Sequence, residues 1–147
     1  MTLNDWVRNG WLRPHVPERS EIEDLFEVAR RDLADAQSRG VSDDWRFAIA
    51  YNAALQMARA ALLVSGHDVP KGDASHFRAI ESLALTIGLD ALTVAQLNAY
   101  RAKRASSVYD VAGRITSSDT REMLALAQEL RRRVERWIGR TRPDLAP

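Results

Sequence analysis

Apolar residues recur at helical spacing along almost the whole chain. From Ser20 to Gly40 they are Ile22, Leu25, Phe26, Ala29, Leu33 and Ala36, in steps of three and four that share one face. Ser20 and Glu23 have the spacing of a capping box ahead of that run. Ser42 caps a second predicted helix, with Asp43 and Asp44 in its first turn, reaching about Val64. Past Arg46 this helix is apolar and alanine-rich except for one narrow stripe, Asn52, Gln56 and Arg59. A helix that is apolar over most of its circumference belongs at the centre of a bundle. Gly66 to Gly72, with Pro70 inside, reads as a turn.

Asp73 is placed to cap a third helix with Phe77, Ile80, Leu83, Ala84 and Ile87 inward, closed by Gly88. A fourth follows Thr93 and runs to about Gly113. A fifth starts at Ser117 or Ser118, turns Leu126, Leu130, Val134 and Trp137 inward, and ends at Gly139. The expected fold is therefore all-α: an antiparallel bundle of about five helices spanning 18–139. Residues 1–17 form a short N-terminal arm, broken at Pro14 and Pro17, and 140–147 a flexible tail. Trp6 and Trp11 in the arm either anchor a partner or fold back on the bundle.

Size and composition narrow the function. With 147 residues and no cysteine, the chain holds one domain without disulfides, thiolate metal sites or a cysteine nucleophile. No secretory leader and no membrane span are expected, which places the protein in the cytoplasm. The net charge of +1 is unevenly spread. Residues 1–100 hold 10 basic and 14 acidic side chains, whereas 101–147 hold 11 and 6. The C-terminal third is thus where an anionic partner would bind. Its last arginines, Arg131, Arg132, Arg133, Arg136, Arg140 and Arg142, have Glu129 and Glu135 at pairing distance along a helix and read as solvated surface. His67, Asp68, Asp73 and His76 cluster around one turn, but their spacing fits no zinc pattern, and no metal or cofactor is called for.

The fourth helix carries the chemistry. Leu97, Tyr100, Arg104, Val108 and Val111 share a stripe, so Arg104 sits within an apolar face. A guanidinium there is either paired internally or lines a groove. Arg101, Lys103 and Arg104 crowd one turn, with Ser107, Tyr109 and Asp110 beyond them, a set that suits phosphate.

Three segments together resemble a HEPN domain over residues 20–138. They are the alanine-rich helix ending Ala60-Ala-Leu-Leu-Val-Ser-Gly66, His76-Phe77 opening a helix, and Arg104-Ala-Ser-Ser-Val-Tyr-Asp110. The resemblance implies a helical bundle that dimerises and works in toxin–antitoxin or defence systems, beside a minimal nucleotidyltransferase. Many such domains are metal-independent endoribonucleases, using an Arg and a following His with four to six residues between them. Arg104 matches that Arg, and Tyr109 stands where the His is expected. A phenol titrating near 10 is a poor proton acceptor at neutral pH, where an imidazole near 6.5 is a good one. The same spacing between Arg8 and His15 falls across Gly10 and Pro14, where no regular helix can present both. The resulting expectation is a module that binds RNA, nucleotide or a partner nucleotidyltransferase around Arg101, Lys103, Arg104, Ser107, Tyr109 and Asp110. The alternative is a non-catalytic dimerisation protein with Arg104 in a structural ion pair.

Overall fold

The computed structural model describes residues 1–109 and 112–147, the side chains of 107–109 excepted. Among these residues the fold is an all-α bundle. Five long helices, α2 (Arg19–Asp35), α3 (Asp43–Val64), α4 (Ser75–Thr86), α5 (Ala91–Tyr109) and α6 (Ser117–Thr141), follow a one-and-a-half-turn α1 (Leu3–Arg8). The only strands in that set are β1 (Arg13–Pro14) and β2 (His67–Asp68), paired antiparallel with Arg13 opposite Asp68.

Helix α3 is the axis, packed against α2, α4, α5 and α6. Its alanines explain how: Ala50, Ala53, Ala58, Ala60 and Ala61 are all completely buried. Side chains this small let four neighbours approach one rod closely. Ser42 caps α3 as expected, its hydroxyl accepting from the Trp45 amide. By length and composition α3 is apolar enough to cross a membrane, but 78% of that stretch is buried against the other helices. On α6 the inward stripe is Met123, Ala127, Leu130, Val134 and Ile138, with Leu126 and Trp137 at its half-buried edges.

Several ends differ from the sequence expectation, each for a local reason. Helix α2 starts two residues early, because the Glu18 and Glu21 carboxylates reciprocally bond the first-turn backbone and displace the Ser20 box. Helix α4 is not capped by Asp73; its N-cap is Ala74, with no side-chain acceptor. Helix α6 is capped by Thr116 with Asp119, one residue ahead of the serines. Gly139 does not end α6, which runs on to Thr141. The tail is not loose: a 3-10 turn, Pro143–Leu145, buries Leu145 between α2 and α6.

The arm folds back. Trp6 is buried beside Leu12 and Leu62, edge-on to Trp11 at 5.6 Å between ring centres. The Arg78 guanidinium of α4 lies 3.8 Å over the Trp11 ring. The arm therefore closes one end of α3 and α4 and brings Arg13, through the β1–β2 pairing, to the rim of the site.

Candidate functional site

The polar stripe of α3 does not face open solvent. It walls a hollow of about 370 Å³ bounded by Arg13, Asn52, Gln56, Arg59, Asp68 and Lys71. A second hollow of about 260 Å³ lies between Asp73, Arg101 and Arg104. Ser75 and His76, at the start of α4, line both. The two form one groove along α3, α4, α5 and the loop after β2. Five cationic side chains line it against two carboxylates, and one of those, Asp68, already accepts from Arg13 at 3.3 Å. A concave cationic surface with low-dielectric walls concentrates anions.

The arginines on α3 and α5 are held by their neighbours. Arg101 bonds Asn98 at 3.4 Å and lies 5.7 Å over the Phe77 ring, while Asn98 is held by Glu81 at 2.9 Å. Arg104 is half-buried and lies 5.7 Å over the Tyr51 ring. Arg59 ends a relay that begins in the core. Asn52 donates to buried Asp32 at 2.7 Å, Gln56 donates to Asn52 at 3.1 Å, and Arg59 donates to Gln56 at 3.4 Å. A carboxylate only accepts, so Asp32 sets the direction of every amide after it.

His76 is the point where the charges meet. Its imidazole stays below its ordinary value of 6.5, first because it is partly covered, then because Arg104, Arg101 and Arg59 repel a further positive charge. The ring is therefore neutral at pH 7, with one donor and one acceptor nitrogen. Beside it, at 6.3 Å between ring centres, lies Tyr51. Burial drives the Tyr51 phenol up to about 12, against the pull of Arg101 and Arg104. Its hydroxyl is buried without a hydrogen-bond partner among the described residues.

Of the residues singled out from sequence, Arg101 and Arg104 enter the groove together. Lys103 does not: its ammonium bonds Asp119 of α6 at 2.8 Å, holding that carboxyl below its ordinary range. The side chains of Ser107 and Tyr109, and residue Asp110, lie outside the described residues. His67 and Asp68 sit in β2, Asp68, Asp73 and His76 line the groove, and among the described residues no three His, Asp or Glu side chains converge as metal ligands. His15 bonds Glu21 at 2.8 Å, well removed in the chain from any helix shared with Arg8. The groove also recruits Arg13, Arg59 and Lys71, which spacing within one helix could not connect to Arg104. The α3 stripe was the sign of Arg59.

No known protein family, curated protein or solved structure matches the chain.

Proposed function

We propose that the chain is a HEPN-like binding module that takes a phosphate-bearing ligand, RNA or nucleotide, in the groove of Arg59, Arg101, Arg104 and His76. The observation that carries this reading is the convergence on His76, where guanidinium groups from two helices act on one point of one concave surface. Forked guanidinium donors fit phosphate oxygens, and a neutral imidazole can donate one further bond. In the same reading the module acts in the cytoplasm as a homodimer, within a toxin–antitoxin or defence pair whose other member is a minimal nucleotidyltransferase.

The test is binding and cleavage of labelled single-stranded RNA by the parent and by Arg104→Ala. Binding that weakens at least about tenfold in the variant, with no cleavage by either, supports the binding module. Cleavage that disappears in Arg104→Ala makes the protein a ribonuclease, with His76 rather than Tyr109 as the neutral proton acceptor at hand. No binding, combined with a large fall in melting temperature for Arg104→Ala, identifies Arg104 as a structural residue of a dimerisation protein.

A further inference from the structure

From Arg101 the groove continues as a row in which cations and rings alternate. Arg101, which lines the second hollow, lies 5.7 Å over the Phe77 ring. Arg78 lies 5.5 Å from the same ring and 3.8 Å over that of Trp11. Trp11 in turn meets Trp6 edge-on. The row thus leads from the hollow, over α4, to the N-terminal arm.

Two of its members have no part in the core. The spacing of α4 turns Phe77 inward with Ile80 and Leu83, and those two are buried. Phe77 is only half-buried and, among the described residues, packs in neither apolar cluster. Arg78 is half-buried too, and no carboxylate or other acceptor among the described residues meets its guanidinium. A planar cation stacked on an indole is held by one face, which leaves its in-plane N–H groups and its other face outside that contact. The arm does not need Arg78 as its anchor. Trp6 is buried with Leu12 and Leu62, β1 pairs with β2, and His15 bonds Glu21.

A single strand of nucleic acid has the matching chemistry, anionic phosphates beside flat bases. Single strands are held where cations follow the backbone and bases stack on aromatic rings or guanidinium planes, and every base has a face to offer. Inorganic phosphate fills the hollow at Arg101 and has no use for the rings.

We infer that Phe77, Arg78 and Trp11 form a base-stacking subsite that continues the phosphate groove, so that a single strand of RNA is held by its bases as well as its phosphates. The inference rests on the phosphate-binding reading of the same groove. The test is fluorescence anisotropy of the full chain with an end-labelled, mixed-sequence RNA of about ten nucleotides, and with an abasic strand of equal length. The abasic strand keeps every phosphate and removes every base. The proteins are the parent, Phe77→Leu and Arg78→Lys, the latter keeping the charge and removing the plane. Melting curves confirm folding, and Trp11→Leu replaces a variant that does not fold. The quantity read is the ratio of the two dissociation constants, in which a change in phosphate affinity common to both strands cancels. The intact strand is expected to bind the parent at least about fivefold tighter than the abasic one, and less than about twofold tighter in each variant. A parent ratio near one, or a ratio that survives either substitution, overturns the stacking subsite while binding of the abasic strand keeps the phosphate groove. If the abasic strand does not bind, and Arg101→Ala leaves the affinity of the intact strand unchanged, the phosphate groove fails and the subsite fails with it.

Discussion

Two sets of basic residues in this protein differ both along the sequence and in space. The stripe on α6 carries Arg131, Arg132, Arg133 and Arg136, the densest run of positive charge in the chain. Its members spread around one helix, and two of them share a carboxylate: Arg132 bonds Glu129 at 2.7 Å, and Arg136 approaches it at 3.9 Å, while Arg131 and Arg132 border a hollow with Arg30 of α2. The cations of the groove are scattered over the sequence at positions 13, 59, 71, 101 and 104, yet line one concavity. Exposed ion pairs contribute little, whereas charges aimed into a shared hollow add their fields on one ligand. The proposed site is made by convergence, and linear charge density is a poor guide to it.

That contrast can be broken outright. Replacing Arg101 and Arg104 together by alanine is expected to weaken single-stranded RNA binding about 100-fold or more, since each charge-assisted bond is worth about 1.5–3 kcal/mol. Fluorescence anisotropy at fixed ionic strength measures it. Replacing Arg132 and Arg136 together is expected to change affinity less than about twofold; a loss as large as that from the groove pair would place the ligand on α6 instead.

Ionic strength sharpens the same comparison. If three groove cations each neutralise one phosphate, affinity for a single strand falls with log salt at a slope of about −2. The Arg101/Arg104 double variant should flatten that slope to about −0.7, and the α6 double variant should leave it where it was.

A smaller effect is expected from pH. The imidazole of His76 is held below 6.5 in the free protein, facing Arg59, Arg101 and Arg104 with Asp73 in the same hollow. Negative phosphate favours the imidazolium, so binding takes up a proton below pH 6.5, and RNA affinity should rise a few-fold from pH 7.5 to 5.5. The phosphodiester does not titrate in that range, and His76→Ala should remove the rise. Stability of the unliganded protein moves the other way. The folded chain binds fewer protons at His76 than the unfolded one, so stability falls as pH drops through the window below 6.5. Chemical denaturation at the two pH values reads that sign directly.

The sequence was most readable where one helix sufficed. The centrality of α3 followed from its all-round apolar pattern, and its Ser42 cap and Val64 end match. The apolar stripe of α5 likewise puts Leu97 and Tyr100 in the core, with the Tyr100 hydroxyl bonded to Glu122 at 3.1 Å. What spacing could not reach was contact between helices. It put Lys103 beside Arg104 as a phosphate ligand, but the two lie on different sides of α5, and Asp119 of the next helix takes the ammonium. It marked His76 as part of a turn, without showing that α4 packs so as to set that turn against Arg59 and Arg104. Glycine and proline near the C-terminus signalled an end, yet the apolar side chain of Leu145 found a buried seat beyond them. Periodicity describes a face; only packing says which face meets which.

The groove also spans several parts of the chain. Arg59 belongs to α3, His76 to α4, Arg101 and Arg104 to α5, and Lys71 to the loop after β2. A molecule bridging them binds the folded arrangement and not the unfolded chain. Such a ligand at a hundred times its dissociation constant stabilises the folded state by about 2.7 kcal/mol. The upward shift in melting temperature would report occupancy without any label, so a heated sample scanned against a set of anions becomes a search instrument for the natural ligand.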